Sequence, residues 1–230
     1  MDKVAFWDKT AAKYAASPIR DEESYAYKLK ATQAHFEPHH QVVEIGCGTG
    51  STALAHAAHV AHIDGVDISP NMVSIARSKA DTAGVTNVRF VAAPIDEFVP
   101  SAPYDVALAM NILHLVDDLD EVLAQVAQWL QPDGLLISST VCMRSGWFPL
   151  LRPLLPVARW LRLAPAVAFL SRADLHAAYA EAGFTVIEEW QHWKGRVCFL
   201  VGRRTGSIGE GIAVEEVVPG EPEGQVPGQP

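Results

Sequence analysis

A glycine-rich turn directly after a short apolar run constrains the fold of this chain more than any other feature. Val42–Ile45 is rich in β-branched residues, and glycines follow at positions 46, 48 and 50, before a helical pattern. Glycines at alternate positions let the backbone turn sharply and let a ligand approach main-chain N–H groups closely. The pattern predicts a strand, a ligand-binding turn and a helix, which is the opening unit of an α/β sheet.

Asp67 supports a ligand-binding interpretation of that turn. It ends a second β-rich run, 63–67, and lies 21 positions after Gly46. An acidic residue at this place can accept hydrogen bonds from both ribose hydroxyls of an adenosine ligand. The alternative is a simple charge at the start of the helix that Ser69 caps. We expect ribose binding.

Apolar runs and helical patterns alternate along most of the chain. Five β-rich runs cover 42–45, 63–67, 88–91, 104–110 and 135–139, and two closing runs cover 184–187 and 197–201. Between them, helical patterns cover about 69–84, 118–130 and 171–183. This alternation predicts an α/β fold with a mostly parallel sheet, a closing antiparallel strand and helices on both faces.

Composition divides the chain into three regions. Residues 1–40 hold two amphipathic helical segments. Residues 41–204 form the α/β domain, with an apolar, proline-containing insertion at 141–170. Residues 205–230 contain ten glycines or prolines, five glutamates and no aromatic residue, a composition that predicts a disordered acidic tail.

Charge and cysteine content exclude several functional classes. The net charge of −9 disfavours binding to nucleic-acid phosphates, so we expect no nucleic-acid partner. Three widely separated cysteines form no CxxC pair, which argues against a disulfide framework and a zinc ribbon. The charged N-terminus lacks the apolar stretch of a signal peptide. These features predict a protein of the reducing cytoplasm.

Three histidines recur at every third position but do not predict a metal site. They are His56, His59 and His62. No carboxylate or cysteine pattern completes a ligand set around them. We expect surface histidines and no bound metal.

Several segments in combination resemble the class I S-adenosylmethionine-dependent methyltransferases. The resemblance covers about residues 5–204 and is nearest to the small-molecule branch that includes ubiquinone and menaquinone methyltransferases. It rests on the segments 44–50, 65–69, 104–106, 111–114, 130–134 and 182–184. It implies a Rossmann-like fold with a seven-stranded, mostly parallel sheet, and S-adenosylmethionine as the cofactor.

The resemblance assigns the methionine end of the cofactor to the glycine turn. Gly46, Cys47 and Gly48 would hold this end, and Asn111 would lie beside it at the exit of the fourth strand. Glu44 would anchor the turn or, through water, contact the ammonium group of the ligand. Ligands of open α/β sheets lie beyond the carboxyl ends of the strands, where all these positions fall.

The adenosine end is assigned to the next two strands. Asp67 would accept from the ribose hydroxyls, and Ile68 would lie against the adenine. The family often places an acidic residue after the third strand, on the adenine amine, but Pro94 occupies that place here. Asp96, or the main-chain N–H of Ile95, is expected to replace the missing contact.

Methyl transfer from a sulfonium is an in-line displacement, in which the protein mainly aligns and desolvates the acceptor. A base is needed only where the acceptor must lose a proton. His114, three residues past Asn111, is the first candidate, and the alternative is a packing or capping histidine. Tyr14 is the second, because the resemblance implies that residues 1–40 form a cap over the cofactor. The alternative is a tyrosine that packs its helix onto the sheet.

The acceptor side is expected in the insertion. Residues 147–170 are apolar but too interrupted by proline and arginine to span a bilayer. They form either a lid for a lipophilic acceptor, with peripheral membrane contact, or a lid or dimer contact that packs on the protein itself. We expect a small, apolar or aromatic acceptor and a monomer or homodimer. The rival functions are an NAD-dependent oxidoreductase on a similar sheet and a non-catalytic cofactor-binding protein.

Overall fold

The computed structural model describes residues 3–19, 21–143, 167–192 and 197–205. Most of the 141–170 insertion and of the 205–230 tail therefore lies outside the described residues. The described helices are α1 (Lys3–Ala16), α2 (Glu22–Gln33), α3 (Ser51–His56), α4 (Pro70–Ala83), α5 (Leu119–Trp129) and α6 (Arg172–Glu181). The described strands are β1 (Gln41–Ile45), β2 (His62–Asp67), β3 (Val88–Ala92), β4 (Tyr104–Met110), β5 (Leu130–Val141), β6 (Phe184–His192) and β7 (Val197–Arg204).

The seven strands form one sheet in the order β3-β2-β1-β4-β5-β7-β6. The first five of these pair in parallel, and β7 is antiparallel to both of its neighbours. This arrangement confirms the predicted Rossmann-like, seven-stranded, mostly parallel sheet with a closing antiparallel strand. The strand order reverses between β1 and β4, and such a switch point opens a crevice at the carboxyl ends of the strands.

Alternate residues of each strand supply two apolar layers, one on each face of the sheet. In β1, Val43 packs in a cluster with Leu123 of α5 and Leu175 of α6. Its neighbour Val42 packs in a second cluster that contains Val73 of α4. Successive side chains of a strand point to opposite faces, so the mainly apolar strands of this sheet require helices on both sides.

Local capping signals define the ends of the helices. The Ser69 side chain accepts from the Met72 N–H, Pro70 is the first residue of α4, and Gly84 ends the helix with a φ of 65°. At α6, the Ser171 side chain and the carboxylate of Asp174 form a reciprocal capping box. These contacts satisfy backbone groups that a helix end otherwise leaves unpaired.

The beginning of β5 differs from the sequence-based expectation. Pairing with β4 starts at Leu130, opposite Tyr104, and a register shift precedes the next pair, Val106 with Leu135. The intervening Pro132-Asp133-Gly134 has the composition of a turn, and Asp133 adopts a φ of 64°. The strand continues through this irregular segment because residues on both sides of it, Leu130 and Leu135, pair with β4.

Alanine at Gly50 is expected to destabilise the fold by about 3 kcal/mol, and alanine at Gly84 by about 1 kcal/mol. Both glycines have a positive φ, which costs an L-residue roughly 1–2 kcal/mol. A Cβ at Gly50 would also lie 2.6 Å from Phe90 Cζ and 2.8 Å from Ala76 Cβ, whereas a Cβ at Gly84 meets no atom within 4 Å. Overpacking of this kind adds roughly 1–3 kcal/mol. Urea unfolding of the two variants measures the difference, and equal losses would contradict the packing argument.

Candidate active site

A cavity of about 380 Å³ lies at the switch point of the sheet. Its walls come from α1, the glycine turn, the ends of β2 and β4, and the first turns of α5. Eight of the predicted site residues line it: Tyr14, Gly46, Gly48, Asp67, Ile68, Pro94, Ile95 and Asn111. The structure therefore brings residues from five separate segments of the chain into one site.

The glycine turn is held close to the walls around it. Gly46 and Gly48 have φ values of 64° and 53°. A Cβ at Gly46 would lie 2.5 Å from the side chain of Ile112. The Cys47 N–H donates to the Val66 carbonyl at 3.1 Å, which ties the turn to β2. Only glycine allows this conformation together with this close approach.

Asp67 joins the glycine turn to the start of α4. Its carboxylate accepts from the Gly48 N–H at 2.8 Å with one oxygen and from the Ser69 N–H at 2.9 Å with the other. Burial raises the pKa of Asp67, the two N–H donors lower it and the nearby Asp8 raises it, and the net effect is an increase. Each oxygen retains acceptor capacity, so the carboxylate can still bind two ribose hydroxyls.

Glu44 and Cys47 lie behind the cavity wall rather than in it. Glu44 is 2% exposed, its carboxyl accepts from the Ala53 N–H, and its Oε2 has no partner among the described residues. Burial, more than any other influence, raises the pKa of Glu44 to about 8. The Cys47 side chain is buried, and burial raises the pKa of its thiol. Glu44 thus anchors the start of α3 and keeps one oxygen for a water or an ammonium group.

Helix α1 crosses the cavity and is fastened on both sides. Asp8 accepts from the Ser69 hydroxyl at 2.5 Å and from the Asn71 N–H at 3.0 Å, which joins α1 to α4. Toward the other side, Lys3 Nζ donates to the Leu115 carbonyl at 2.8 Å and pairs with Asp117 at 2.8 Å. Lys3, Trp7 and Tyr14 then face the cavity.

Alanine at Asp8 is expected to raise the dissociation constant of the bound ligand about tenfold. It removes two hydrogen bonds to a charged acceptor, each worth roughly 1.5–3 kcal/mol, from the contact between α1 and α4. Alanine favours helix more than aspartate does, so unfolding of α1 itself would not explain a loss. Calorimetric titration measures the change. The control is Lys9→Ala on the exposed part of the same helix, and equal affinities in both variants would contradict the fastening role.

The side of the cavity formed by the segments after β2 and β3 combines apolar and polar groups. Ile68, Pro94, Ile95 and Asp96 all line it. Gln125 of α5 donates to the Ile95 carbonyl at 3.1 Å and holds this segment in place. The lining contribution of α5 was not predicted, since only tertiary packing brings it to the site. A cap by residues 1–40 was predicted, but of the three α1 residues that line the cavity only Tyr14 was named, and Lys3 and Trp7 were missed.

Asn111 lies at the exit of β4 in an unusual conformation. Its φ is 59°, and its N–H donates to the Ser139 carbonyl at 2.7 Å. Asparagine tolerates the left-handed region better than most residues. The backbone therefore turns at the end of β4 and leaves Asn111 on the cavity wall, beside the glycine turn.

His114 is buried and is not among the residues that line the cavity. It is 8% exposed, and its Nδ1 has no partner among the described residues. Burial lowers its pKa to about 4, so the ring is neutral near pH 7. Tyr14, the other predicted base, lines the cavity, and its Cε1 would lie 3.9 Å from a Cβ at Gly48.

The prediction that His56 lies on the surface is wrong. Its exposure is 0%, because Gln33 and Phe36 pack over the end of α3. His59 is exposed, as predicted, whereas His62 is half-buried and pairs with Asp64 at 3.0 Å. Among the described residues, one group, formed by the exposed Glu37 and His39 and the half-buried His40, places its potential ligand atoms within 4.8 Å of one another. It precedes β1, at the opposite end of the strand from the cavity.

No helix in the described part of the chain is both long enough and apolar enough to cross a membrane.

Comparison with known proteins identifies the family. A family model for a methyltransferase domain matches residues 17–189. The methyltransferase YcgJ of Bacillus subtilis, described as uncharacterized, is 33% identical over 52% of this chain and 49% of its own. The ubiquinone biosynthesis O-methyltransferase of Azorhizobium caulinodans is 30% identical over 64% of this chain and 60% of its own. The chain thus spans about half to two thirds of the length of these curated relatives.

Solved structures agree on the fold. The crystal structure of YcgJ superposes with a TM-score of 0.66 at 19% identity, over 79% of this chain and 100% of that one. The DhpI–SAH complex superposes with a TM-score of 0.69 at 17% identity, over 89% of this chain and 96% of that one.

The residues present fit S-adenosylmethionine. Three features support this fit. The first is the glycine turn, where a Cβ added at Gly46 would clash with Ile112. The others are the Asp67 carboxylate and the Glu44 oxygen behind the turn, which has no partner among the described residues. With the match of the family model, they lead to one identification. The chain belongs to the class I S-adenosylmethionine-dependent methyltransferases.

Proposed function

We propose that the protein transfers a methyl group from S-adenosylmethionine to a small, apolar or aromatic acceptor by in-line displacement. One observation carries the proposal: Asp67 bridges the glycine turn and the start of α4 at a cavity that α1 also lines. A ribose-binding carboxylate, a main-chain cradle and a cap are together what an enclosed S-adenosylmethionine site requires.

The bound cofactor supplies a sulfonium methyl, which is attacked by a lone pair of the acceptor while the carbon–sulfur bond breaks. The residues of this chain orient the cofactor and line the cavity around the reacting groups. Asp67 holds the ribose, Gly46 and Gly48 hold the methionine end, and Asn111 positions that end beside β4. Trp7 and Tyr14 line the cavity and would reduce the contact of the reacting groups with water once the ligands are bound, which favours displacement over solvation.

Of the two predicted bases, only Tyr14 is placed to reach an acceptor, but burial, with smaller effects from Glu44 and Asp67, raises its pKa, so its phenol keeps its proton near pH 7 and is not an efficient base. Tyr14 lines the cavity, whereas His114 lies behind its wall. A base acts only on an acceptor that loses a proton, and an amine attacks without one. The activity therefore needs no titration of either residue where the acceptor is a neutral amine.

The apolar walls of the cavity support an apolar or aromatic acceptor. Trp7, Ile112 and Leu115 contribute to these walls. The relatives carry different names, among them a malonyl-[acyl-carrier protein] O-methyltransferase and a trans-aconitate 2-methyltransferase. The family therefore accommodates several acceptors around one cofactor site, and the acceptor of this chain is assigned from its own cavity.

The proposal places the protein in the cytoplasm as a monomer or homodimer. Cys47, Cys142 and Cys198 are free and buried, as in a protein of a reducing compartment. A peripheral membrane contact through 147–170 remains part of this proposal, and most of that segment, 147–166, lies outside the residues that the structure describes.

Thermal unfolding with S-adenosylmethionine or NAD, followed by an assay for S-adenosylhomocysteine, tests the proposal. At a hundred times its dissociation constant, a ligand stabilises the folded state by about 2.7 kcal/mol. For a domain of this size the midpoint rises roughly 2–4 °C per kcal/mol. We expect a shift with S-adenosylmethionine alone. A shift with NAD alone would favour an oxidoreductase, and a shift without product from any acceptor would favour a non-catalytic binding protein.

A further inference from the structure

The turn that connects α2 to β1 presents three potential metal ligands, and none of the roles assigned so far uses them. It covers 37–40, directly before β1. The His40 N–H donates to the Glu37 carbonyl at 2.9 Å, and Pro38 occupies the second position of the turn. Proline is favoured at that position because its φ is already fixed near the required value. The backbone of the turn is therefore well defined.

The turn is also attached to the elements on either side of it. The His40 carbonyl accepts from the Ala61 N–H at 3.0 Å, directly before β2 begins at His62. On the side of α2, Phe36 packs edge-on against the buried ring of His56, with the ring centroids 5.1 Å apart. The side chains of the turn thus project from a backbone that is held in place, which lowers the cost of ordering them around a bound ion.

The spacing of the side chains matches that of metal ligands. The potential ligand atoms of Glu37, His39 and His40 all lie within 4.8 Å of one another, and His39 Nδ1 is 3.5 Å from Glu37 Oε2. Zinc binds nitrogen and carboxylate oxygen at about 2.0–2.2 Å, so two ligands of a tetrahedral ion lie about 3.4 Å apart. One edge of a coordination tetrahedron is therefore already formed, and rotation of exposed side chains can complete it.

An ion in the solvent can reach these groups. The side chains of His39 and Glu37 are 71% and 65% exposed, and His40 is half-buried. The two imidazole rings meet edge-on, with their centroids 4.9 Å apart. His40 Nδ1 accepts from the Glu37 N–H at 3.2 Å, which keeps this ring close to the carboxylate. An ion that binds His40 at Nδ1 has to displace this one long hydrogen bond.

We propose that Glu37, His39 and His40 bind one divalent transition-metal ion, such as Zn²⁺, with water in the remaining position. Imidazole nitrogen and carboxylate oxygen are ligands that suit Zn²⁺, whereas Mg²⁺ and Ca²⁺ take oxygen ligands. The site departs from the sequence-based expectation of no bound metal, which rested on a different set of histidines. It lies at the opposite end of β1 from the cavity. The ion therefore takes no part in methyl transfer and fastens the connection between α2 and the sheet.

Calorimetric titration of ZnCl₂ into the full chain tests this site. The protein carries no histidine tag and is first treated with EDTA and dialysed. We expect a Zn²⁺ site whose affinity falls at least ~10-fold in His39→Asn and in Glu37→Gln, because even the loss of a group that only supports a ligand costs roughly 10–100-fold. MgCl₂ is expected to give no binding. His59→Asn, at an exposed histidine outside the turn, is expected to keep the affinity for Zn²⁺.

Thermal unfolding separates the loss of a ligand from a loss of folding, since an ion that binds only the folded state raises the unfolding midpoint. In EDTA, His39→Asn is expected to unfold at the midpoint of the unaltered protein, because the side chain is exposed. With Zn²⁺, only the unaltered protein and His59→Asn gain stability. No binding of Zn²⁺, an unchanged affinity in both His39→Asn and Glu37→Gln, or an equal loss in His59→Asn would each overturn the proposal.

Discussion

Replacing Asp67 with alanine is expected to weaken S-adenosylmethionine binding by roughly 100-fold or more. The carboxylate is placed to accept from two ribose hydroxyls, and hydrogen bonds to a charged group contribute roughly 1.5–3 kcal/mol each. A loss of about 3 kcal/mol corresponds to roughly two orders of magnitude in the dissociation constant. The variant also leaves the Gly48 and Ser69 N–H groups without their acceptor, so the glycine turn loses its fastening to α4. Isothermal titration with S-adenosylmethionine measures the change.

A charge-matched control separates this local effect from a change in net charge. Asp81 is exposed on α4 and lies outside the cavity lining. Asp81→Ala is expected to bind with the affinity of the unaltered protein. If both variants bind alike, the ribose role of Asp67 is wrong. If Asp67→Ala binds normally while its unfolding midpoint falls, Asp67 holds the turn but does not contact the ligand.

Acidification from pH 6.5 to pH 5 is expected to remove about 2 kcal/mol of folding stability for each of two histidines, His56 and His114. Burial is the largest cause that lowers both pKa values from 6.5 to about 4, and His59 adds to it at His56. Between pH 6.5 and pH 4 the unfolded chain therefore binds protons that the folded chain does not. Stability is fully present above pH 6.5 and falls as the pH falls through this window.

The titration of Glu44 changes the folding stability in the opposite direction. Its pKa is raised from 4.5 to about 8, so the folded chain holds a proton that the unfolded chain loses between these values. Its contribution to stability is present below pH 4.5 and falls as the pH rises through this window. The total pH profile thus mixes opposing effects, and single variants are needed to separate them.

His56→Gln and His114→Gln make that separation, since glutamine does not titrate. Urea unfolding of each variant and of the unaltered protein at pH 7.5 and pH 5 gives two differences in the free energy of unfolding. We expect the advantage of the histidine to shrink by about 2 kcal/mol at the lower pH. A difference that stays constant between the two pH values would mean that the histidine is not buried in its neutral form.

The sheet was predictable because glycine, aspartate and helix-capping residues mark the ends of its strands in the sequence. Glycine follows β1, Asp67 ends β2, and the capping serines at 69 and 171 mark the helices that follow. β5 was predicted to begin five residues too late, at 135 instead of 130, since Pro132-Asp133-Gly134 has the local preference of a turn. Pairing with β4 overrides that preference, and long-range pairing is not encoded in a local pattern.

The residues of the cofactor site were predictable only where they belong to sequence motifs that directly follow strands. Gly46, Gly48, Asp67 and Asn111 follow strands, and parallel strands bring their carboxyl ends together. His56 was assigned to the surface because a spacing of three says nothing about what packs over a short helix. Its burial depends on Gln33 at the end of α2, which precedes it by 23 residues.

The fastening of α1 on both sides of the cavity has a kinetic consequence. Because Asp8 and Lys3 hold α1 and its cavity-lining Trp7 in place, we expect these contacts to slow the entry and release of a ligand as large as S-adenosylmethionine. If α1 has to detach at each turnover, its opening, rather than chemistry, would limit the rate, as in many enzymes. S-adenosylhomocysteine would occupy the same cavity. Slow detachment of α1 would therefore delay its release and make the product a persistent inhibitor. The helix that protects the reaction from water would thereby also set how often the reaction repeats.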